Sequence, residues 1–144
     1  MDLNQRFSLV KRNTQEIITE EGLMGLLEQK KNPKAYIGLA TTGKIHIGYF
    51  IPMMKVSDFI NADFKFTFLL ADLHAHLDDQ KTPFELLDAR VKYYKEIILS
   101  MVSALGINTK NIEFARGTDF QLEKNYTLDA YRLAALNTFD RCKR

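Results

Sequence analysis

At 144 residues, with 46% hydrophobic and 26% charged residues, the chain has the length for one cored domain and the composition of a soluble one. A formal net charge of +2 makes no strong electrostatic case for nucleic acid, and a single cysteine, Cys142, excludes an intrachain disulfide and fits a reducing compartment. There is no apolar leader run and no stretch near the roughly 20 apolar residues of a membrane span, so the reading is cytoplasmic with no membrane partner.

Residues 5–19 read as a helix with Phe7, Val10, Thr14, Ile17 and Ile18 on one face. A second helix covers 21–30, with Leu23, Leu26 and Leu27 inward, and Asn32-Pro33 breaks it. Strand one runs over 35–40. The helix over 47–62 is apolar almost all round and is expected to be largely buried. Pro52 fits its first turn, where a missing N–H removes no bond, and so places the helix start near Gly48. Strand two covers 64–72; its tail, Phe68-Leu69-Leu70-Ala71, is continuously apolar, as in a strand buried on both faces. Thr82-Pro83-x-Glu85 reads as a capping box before a helix that carries Leu87, Val91, Tyr94, Ile98, Met101, Val102 and Leu105 and stops at Gly106. Strand three is 112–116, and a last helix runs from Tyr126 to Arg144.

Strands alternating with helices imply an α/β fold with a parallel sheet, right-handed crossovers and ligands at the carboxyl ends of the strands. One stretch at such an end is suited to phosphate. Tyr36 to Ala40 run into a polar turn, Thr41-Thr42-Gly43-Lys44, and a helix start follows at His46-Ile47-Gly48-Tyr49. Glycine permits close backbone approach, and the first N–H groups of a helix favour anions. Neither GxxxxGK[ST] nor GxGxxG is present, so the pattern is equally that of an ordinary turn with a surface lysine. His74, His76, Asp78 and Asp79 lie close together, but their spacing is loose and no cysteine joins them; no metal site is expected.

His46-Ile47-Gly48-Tyr49 resembles the HIGH signature of class I aminoacyl-tRNA synthetases, with tyrosine in its last position. The wider stretch Tyr36-x-Gly38-x-Ala40-Thr41-Thr42-Gly43-Lys44-x-His46 resembles the tyrosyl-tRNA synthetases of archaeal and eukaryotic type. Leu70 to Ala75, Gly117 to Leu122 and Tyr126 to Leu133 resemble three further blocks of that family, in the same order. The resemblance implies a Rossmann-like (HUP-type) nucleotide-binding domain. Its first half would span 35–144, after an N-terminal helical segment over 1–34. It implies activation of L-tyrosine with ATP, Mg2+ on the ATP phosphates, and transfer of tyrosyl to tRNA(Tyr) by a homodimer.

It also assigns roles by position. Thr41, Lys44 and His46 become catalytic, and Thr41, Thr42, Gly43, His46, Gly48 and Tyr49 hold ATP. Tyr36, Gly38, Ala40, Leu69, His74, Asp119, Phe120 and Gln121 hold tyrosine, with Tyr36 on the phenolic hydroxyl. A substrate carboxylate attacking phosphorus needs alignment and charge stabilisation rather than a general base. The second half of the fold, a KMSKS loop and an anticodon domain are expected beyond residue 144, so this chain alone is expected to be inactive. Two other readings stay open: a tryptophanyl-tRNA synthetase, and a non-catalytic module that only binds.

Overall fold

A computed structural model of the protein describes residues 1–78 and 81–137. Asp79 and the terminal Arg141, Cys142, Lys143 and Arg144, where the last helix was expected to end, lie outside them. Three parallel strands, β1 (Lys34–Ala40), β2 (Lys65–Ala71) and β3 (Ile112–Arg116), form a sheet in the order β1-β2-β3. The helices are α1 (Leu3–Lys11), α2 (Glu20–Gln29), α3 (Phe50–Asn61), α4 (Asp72–Leu77), α5 (Leu87–Ala104), α6 (Gly117–Gln121) and α7 (Lys124–Leu136).

The core lies on one face of the sheet. Phe66, Phe68 and Leu70 point to it from β2, Met53, Val56 and Ile60 from α3, and Tyr94, Ile98, Met101 and Val102 from α5. The period of two in β2 sends Leu69 and Ala71 to the opposite face, where they are only half-buried. The tail of strand two is therefore buried on one face, not two. The segment expected as a buried helix over 47–62 also departs from expectation: Ile47, ahead of α3, and Ile51 and Met54 within it are exposed, so its apolar surface is only partly covered.

Two local readings are corrected. The first helix ends at Lys11 rather than reaching residue 19. Asn13 takes a left-handed φ of 58°, which asparagine tolerates, and the Thr14 hydroxyl donates to the Lys11 carbonyl (2.6 Å). The capping box at Thr82 does not form, because the Thr82 hydroxyl donates instead to the Thr41 carbonyl (2.9 Å) across the fold. A 3-10 turn, Phe84–Leu86, leads into α5. By contrast, α5 stops where glycine allows it, with Gly106 at φ +69°.

The N-terminal helices are tied on by cations at helix carboxyl ends. Buried Arg6 of α1 donates to the carbonyls of Ala62 (3.0 Å), Leu27 (3.2 Å) and Lys31 (2.9 Å), at and beyond the ends of α3 and α2. Lys55 of α3 answers by donating to the Val10 and Arg12 carbonyls at the end of α1. These carbonyls have no partner within their own helices, and they attract positive charge. Arg6→Met is therefore expected to lower stability by about 2–4 kcal/mol, because it strands three acceptors while nearly preserving volume. Urea unfolding midpoints of the two proteins measure it; equal midpoints refute it.

Candidate active site

The face of the sheet opposite the core is open and carries a cavity of about 520 Å³. Register explains its floor: Tyr36 lies beside Thr67, Gly38 beside Leu69, and Leu69 beside Ala115. Tyr36, Thr67, Leu69 and Ala115 supply that floor, and Phe120, Gln121 and Tyr126 form a wall from α6 and α7. Four of the residues assigned to tyrosine by resemblance, Tyr36, Leu69, Phe120 and Gln121, thus converge. Tyr36 is 73% exposed, so its ring is not part of the core. Gly38, Ala40, His74 and Asp119 are not among the walls. A Cβ at Gly38 would meet only Leu69 Cδ2, at an ordinary 4.0 Å. Nothing in the chain's own packing demands glycine there; what glycine keeps free is the space above the sheet.

Thr67, Ala115 and Tyr126 were not singled out in the sequence. The signal existed for the first two: Thr67 is two residues from Leu69 and so shares its face, and Ala115 is its neighbour once β3 is placed. Tyr126 is fixed by an edge-on contact with Phe120, ring centroids 5.6 Å apart, which local pattern cannot show.

A buried carboxylate positions the wall. Asp72, at the end of β2, has 0% exposure. It accepts from the Arg116 guanidinium, the Thr118 hydroxyl (2.7 Å) and the N–H groups of Thr118 (3.0 Å) and Leu73 (2.8 Å). Burial alone would raise its pKa, but Arg116, the Thr118 hydroxyl and the two amides outweigh burial and hold the pKa below the ordinary carboxylate value. Arg116 reaches on to Asp88 of α5 (2.6 Å). The start of α6 is thereby fixed to the ends of two strands. It is also tightly fitted: a Cβ at Gly117 would stand 2.6 Å from Gln121 Oε1 and 3.0 Å from Asp72 Oδ1. Gln121 Oε1 itself is buried with no protein partner among the described residues.

Beyond the end of β1 lies the Thr41–Tyr49 loop. His46 caps a 3-10 turn, Ile47–Tyr49, which precedes α3. The expected start near Gly48 is thus a 3-10 turn, and Pro52 sits in the first turn of α3 that follows. The Gly48 N–H donates to His46 Nδ1 (3.2 Å), so the ring carries its proton on Nε2, which remains a donor. The ring packs edge-on against Tyr49, centroids 5.1 Å apart. A Cβ at Gly48 would lie 3.0 Å from His46 Cε1, so a larger residue there would push the imidazole aside by a few tenths of an ångström. Burial, first, and then Tyr94 and Tyr93 raise the Tyr49 phenol above its ordinary value.

The loop does not present a row of bare amides. Thr42 donates to the Ala40 carbonyl (2.9 Å), Gly43 to the Tyr94 hydroxyl (3.3 Å) and Ile45 to the Tyr93 hydroxyl (3.2 Å). Lys44 and His46 are exposed, whereas Thr41 is fully buried and its Oγ1 has no protein partner among the described residues.

The group His74, His76, Asp78 does not converge. His76 is half-buried, donating from Nδ1 to the Thr82 carbonyl (3.1 Å); Asp78 pairs with Lys81 (2.8 Å). Among the described residues, no group of three or more His, Cys, Asp or Glu side chains is placed to hold a metal ion, and no helix is long and apolar enough to cross a membrane.

This arrangement, an open sheet face with a cavity and a HIGH-like loop at strand ends, is that of a class I synthetase nucleotide fold. Residues 28–144 match the model of the family described as tRNA synthetases class I (W and Y), and the chain belongs to that family. It is 51% identical over all of its length to a tyrosine–tRNA ligase of Haloarcula marismortui, covering 41% of that protein. It is 47% identical to a cytoplasmic tyrosine–tRNA ligase of Danio rerio, with 94% of this chain and 25% of that protein aligned. Among solved structures it resembles an Archaeoglobus fulgidus tyrosyl-tRNA synthetase complexed with L-tyrosine. There the TM-score is 0.86 and identity 35%, with 98% of this chain and 43% of that one covered. The chain thus spans about two fifths of the archaeal relatives it matches.

Asp72→Asn is expected to destabilise the protein by roughly 2–4 kcal/mol, because Arg116 loses its buried counter-charge. The pH dependence has a definite sign. Asp72 titrates lower in the folded state, so its contribution is present above the unfolded value, about 3.9, and is lost as pH falls through the folded value. Denaturation of both proteins from pH 7 to 2 should show their stability gap closing at the acid end. A gap that stays constant with pH contradicts the ion-pair account.

Proposed function

We propose that the chain is the first half of the catalytic domain of a tyrosine–tRNA ligase of archaeal and eukaryotic type. The whole protein activates L-tyrosine with ATP to tyrosyl-adenylate, then passes tyrosyl to tRNA(Tyr). The observation that carries this reading is the cavity on the open sheet face, where Tyr36, Leu69, Phe120 and Gln121 meet on a sheet whose first strand runs on into the His46 loop. The relatives' names support tyrosine over tryptophan. A Plasmodium falciparum tryptophanyl-tRNA synthetase is 17% identical and shares the fold alone.

In this reading Tyr36 hydrogen-bonds the phenol of the substrate, and Gly38 leaves it room. Leu69 and Phe120 flank the ring, and Gln121 supplies a polar contact from the wall. Ala40, His74 and Asp119 belong to the rim. The substrate carboxylate attacks the α-phosphorus of ATP and pyrophosphate leaves. His46 donates from Nε2 to the phosphates, and Lys44 adds a positive charge. Thr41, Thr42, Gly43, Gly48 and Tyr49 shape the ATP side. Mg2+ arrives on the ATP phosphates as part of that substrate.

The free edge of β1 supports the view that this is half of a sheet. In doubly wound folds the first strand lies at the centre, in the order 3-2-1-4. Beside that edge runs an apolar groove of about 580 Å³ that includes Ile37, Ile51 and Met54, with Ile51 74% exposed. A fourth strand would cover both. Helix α7 has no buried residue and exposes Leu128, Tyr131, Leu133 and Leu136, which suits a homodimer contact. The cytoplasmic naming of the eukaryotic relatives supports a cytoplasmic location.

Full-length protein is expected to exchange pyrophosphate into ATP in the presence of tyrosine and not tryptophan, while residues 1–144 alone stay at background. Exchange with tryptophan, or none with either amino acid, overturns the reading. Tyr36→Phe is expected to reduce discrimination between tyrosine and phenylalanine by roughly tenfold with the fold intact, since one partner of the phenol is lost. Identical kcat/KM ratios in both proteins would remove Tyr36 from the pocket.

A further inference from the structure

Four side chains from outside the Thr41–Tyr49 loop grip its backbone. Buried Thr82 donates from its hydroxyl to the Thr41 carbonyl (2.9 Å). From α5, Arg90 Nη1 donates to the Gly43 carbonyl (3.2 Å). The Tyr94 hydroxyl donates to that same carbonyl (3.1 Å) and accepts from the Gly43 N–H (3.3 Å). The Tyr93 hydroxyl accepts from the Ile45 N–H (3.2 Å). All of these contacts are to main-chain atoms, so they set the loop's path whatever its side chains are. They bracket Lys44 on both sides and stop one residue short of His46.

Packing does not account for the hydroxyls. Tyr94 has 0% exposure and sits among Met53, Ile98 and Val102, a setting that a phenylalanine ring would fill equally well. Its oxygen bonds to Gly43. The aromatic contacts continue the grip: Tyr94 meets Tyr93 (5.8 Å) and Tyr49 (6.4 Å), and Tyr49 meets His46 (5.1 Å). One surface of α5 is therefore linked to the imidazole at the helix start.

We propose that Thr82, Arg90, Tyr93 and Tyr94 are positioning residues that hold the Thr41–His46 loop in the conformation that receives the triphosphate of ATP. This rests on the proposed adenylate-forming reaction. The loop has little secondary structure of its own, and its Gly43 and Ile45 amides are spent on the clamp. Its side chains can be aligned with phosphate only as well as the clamp aligns the backbone. Catalysis by alignment is sensitive to displacements of about 1 Å.

The test compares full-length wild type with Tyr93→Phe, Tyr94→Phe and Arg90→Gln. It measures tyrosine-dependent pyrophosphate exchange at varied ATP, tyrosine Kd by equilibrium dialysis, and thermal unfolding. The expected result is a fall in kcat/KM for ATP of roughly tenfold per hydroxyl lost, with tyrosine Kd within twofold of wild type. A merely structural role lowers Tm and leaves the ATP parameter unchanged, or weakens ATP and tyrosine alike; either pattern overturns the clamp. Should Tyr94→Phe not fold, Tyr93→Phe and Arg90→Gln, whose side chains are only half-buried, carry the same comparison. Wild type without exchange defeats the adenylate reading and the clamp with it. Active wild type with unaffected variants defeats the clamp alone.

Discussion

The carboxylate of Asp72 is the constraint on which the site's geometry depends. It stands at the carboxyl end of β2 with no solvent contact, yet is charged, so it must be paid back in hydrogen bonds. Arg116 and Thr118 provide them, and in doing so they fix where β3 ends and α6 begins. Phe120 and Gln121 follow within a few residues. A parallel sheet places strand ends side by side; Asp72 turns that proximity into a fixed wall for the cavity.

The sheet divides labour between its faces. The α3 and α5 face is filled by phenylalanine, methionine and branched aliphatic side chains, which make it rigid and dry. The other face bears Tyr36, Gly38, Thr67, Leu69 and Ala115, small or amphipathic residues that leave room. The same helix α5 serves both: its inward side completes the core, and its N-terminal half reaches the loop through Arg90, Tyr93 and Tyr94.

Much of this is legible in the sequence wherever the cause is local. Strands β1 and β3, the stop at Gly106 and the convergence of Tyr36, Leu69, Phe120 and Gln121 follow from periodicity, glycine and the resemblance. What escapes is set by partners distant in the chain. Thr82 has the spacing of a helix cap, but a carbonyl 41 residues away captures its hydroxyl. The apolar run at Phe68 to Ala71 looks doubly buried, because a strand facing a cavity and one facing a core have the same composition. The left-handed Asn13 ends α1 although the apolar spacing continues past it. The clamp from α5 spans 47–51 residues, beyond any window of local pattern.

Because the loop's Thr42, Gly43 and Ile45 amides are already engaged, it is not a preformed nest for an anion. A nest binds phosphate tightly before and after reaction alike. Exposed side chains such as Lys44 and His46 release their hold more easily, since water competes for every contact. In the proposed reaction the leaving group is a multiply charged pyrophosphate. A loop of this build favours its escape into solvent, so product departure, as much as substrate capture, is written into which amides the fold has left free.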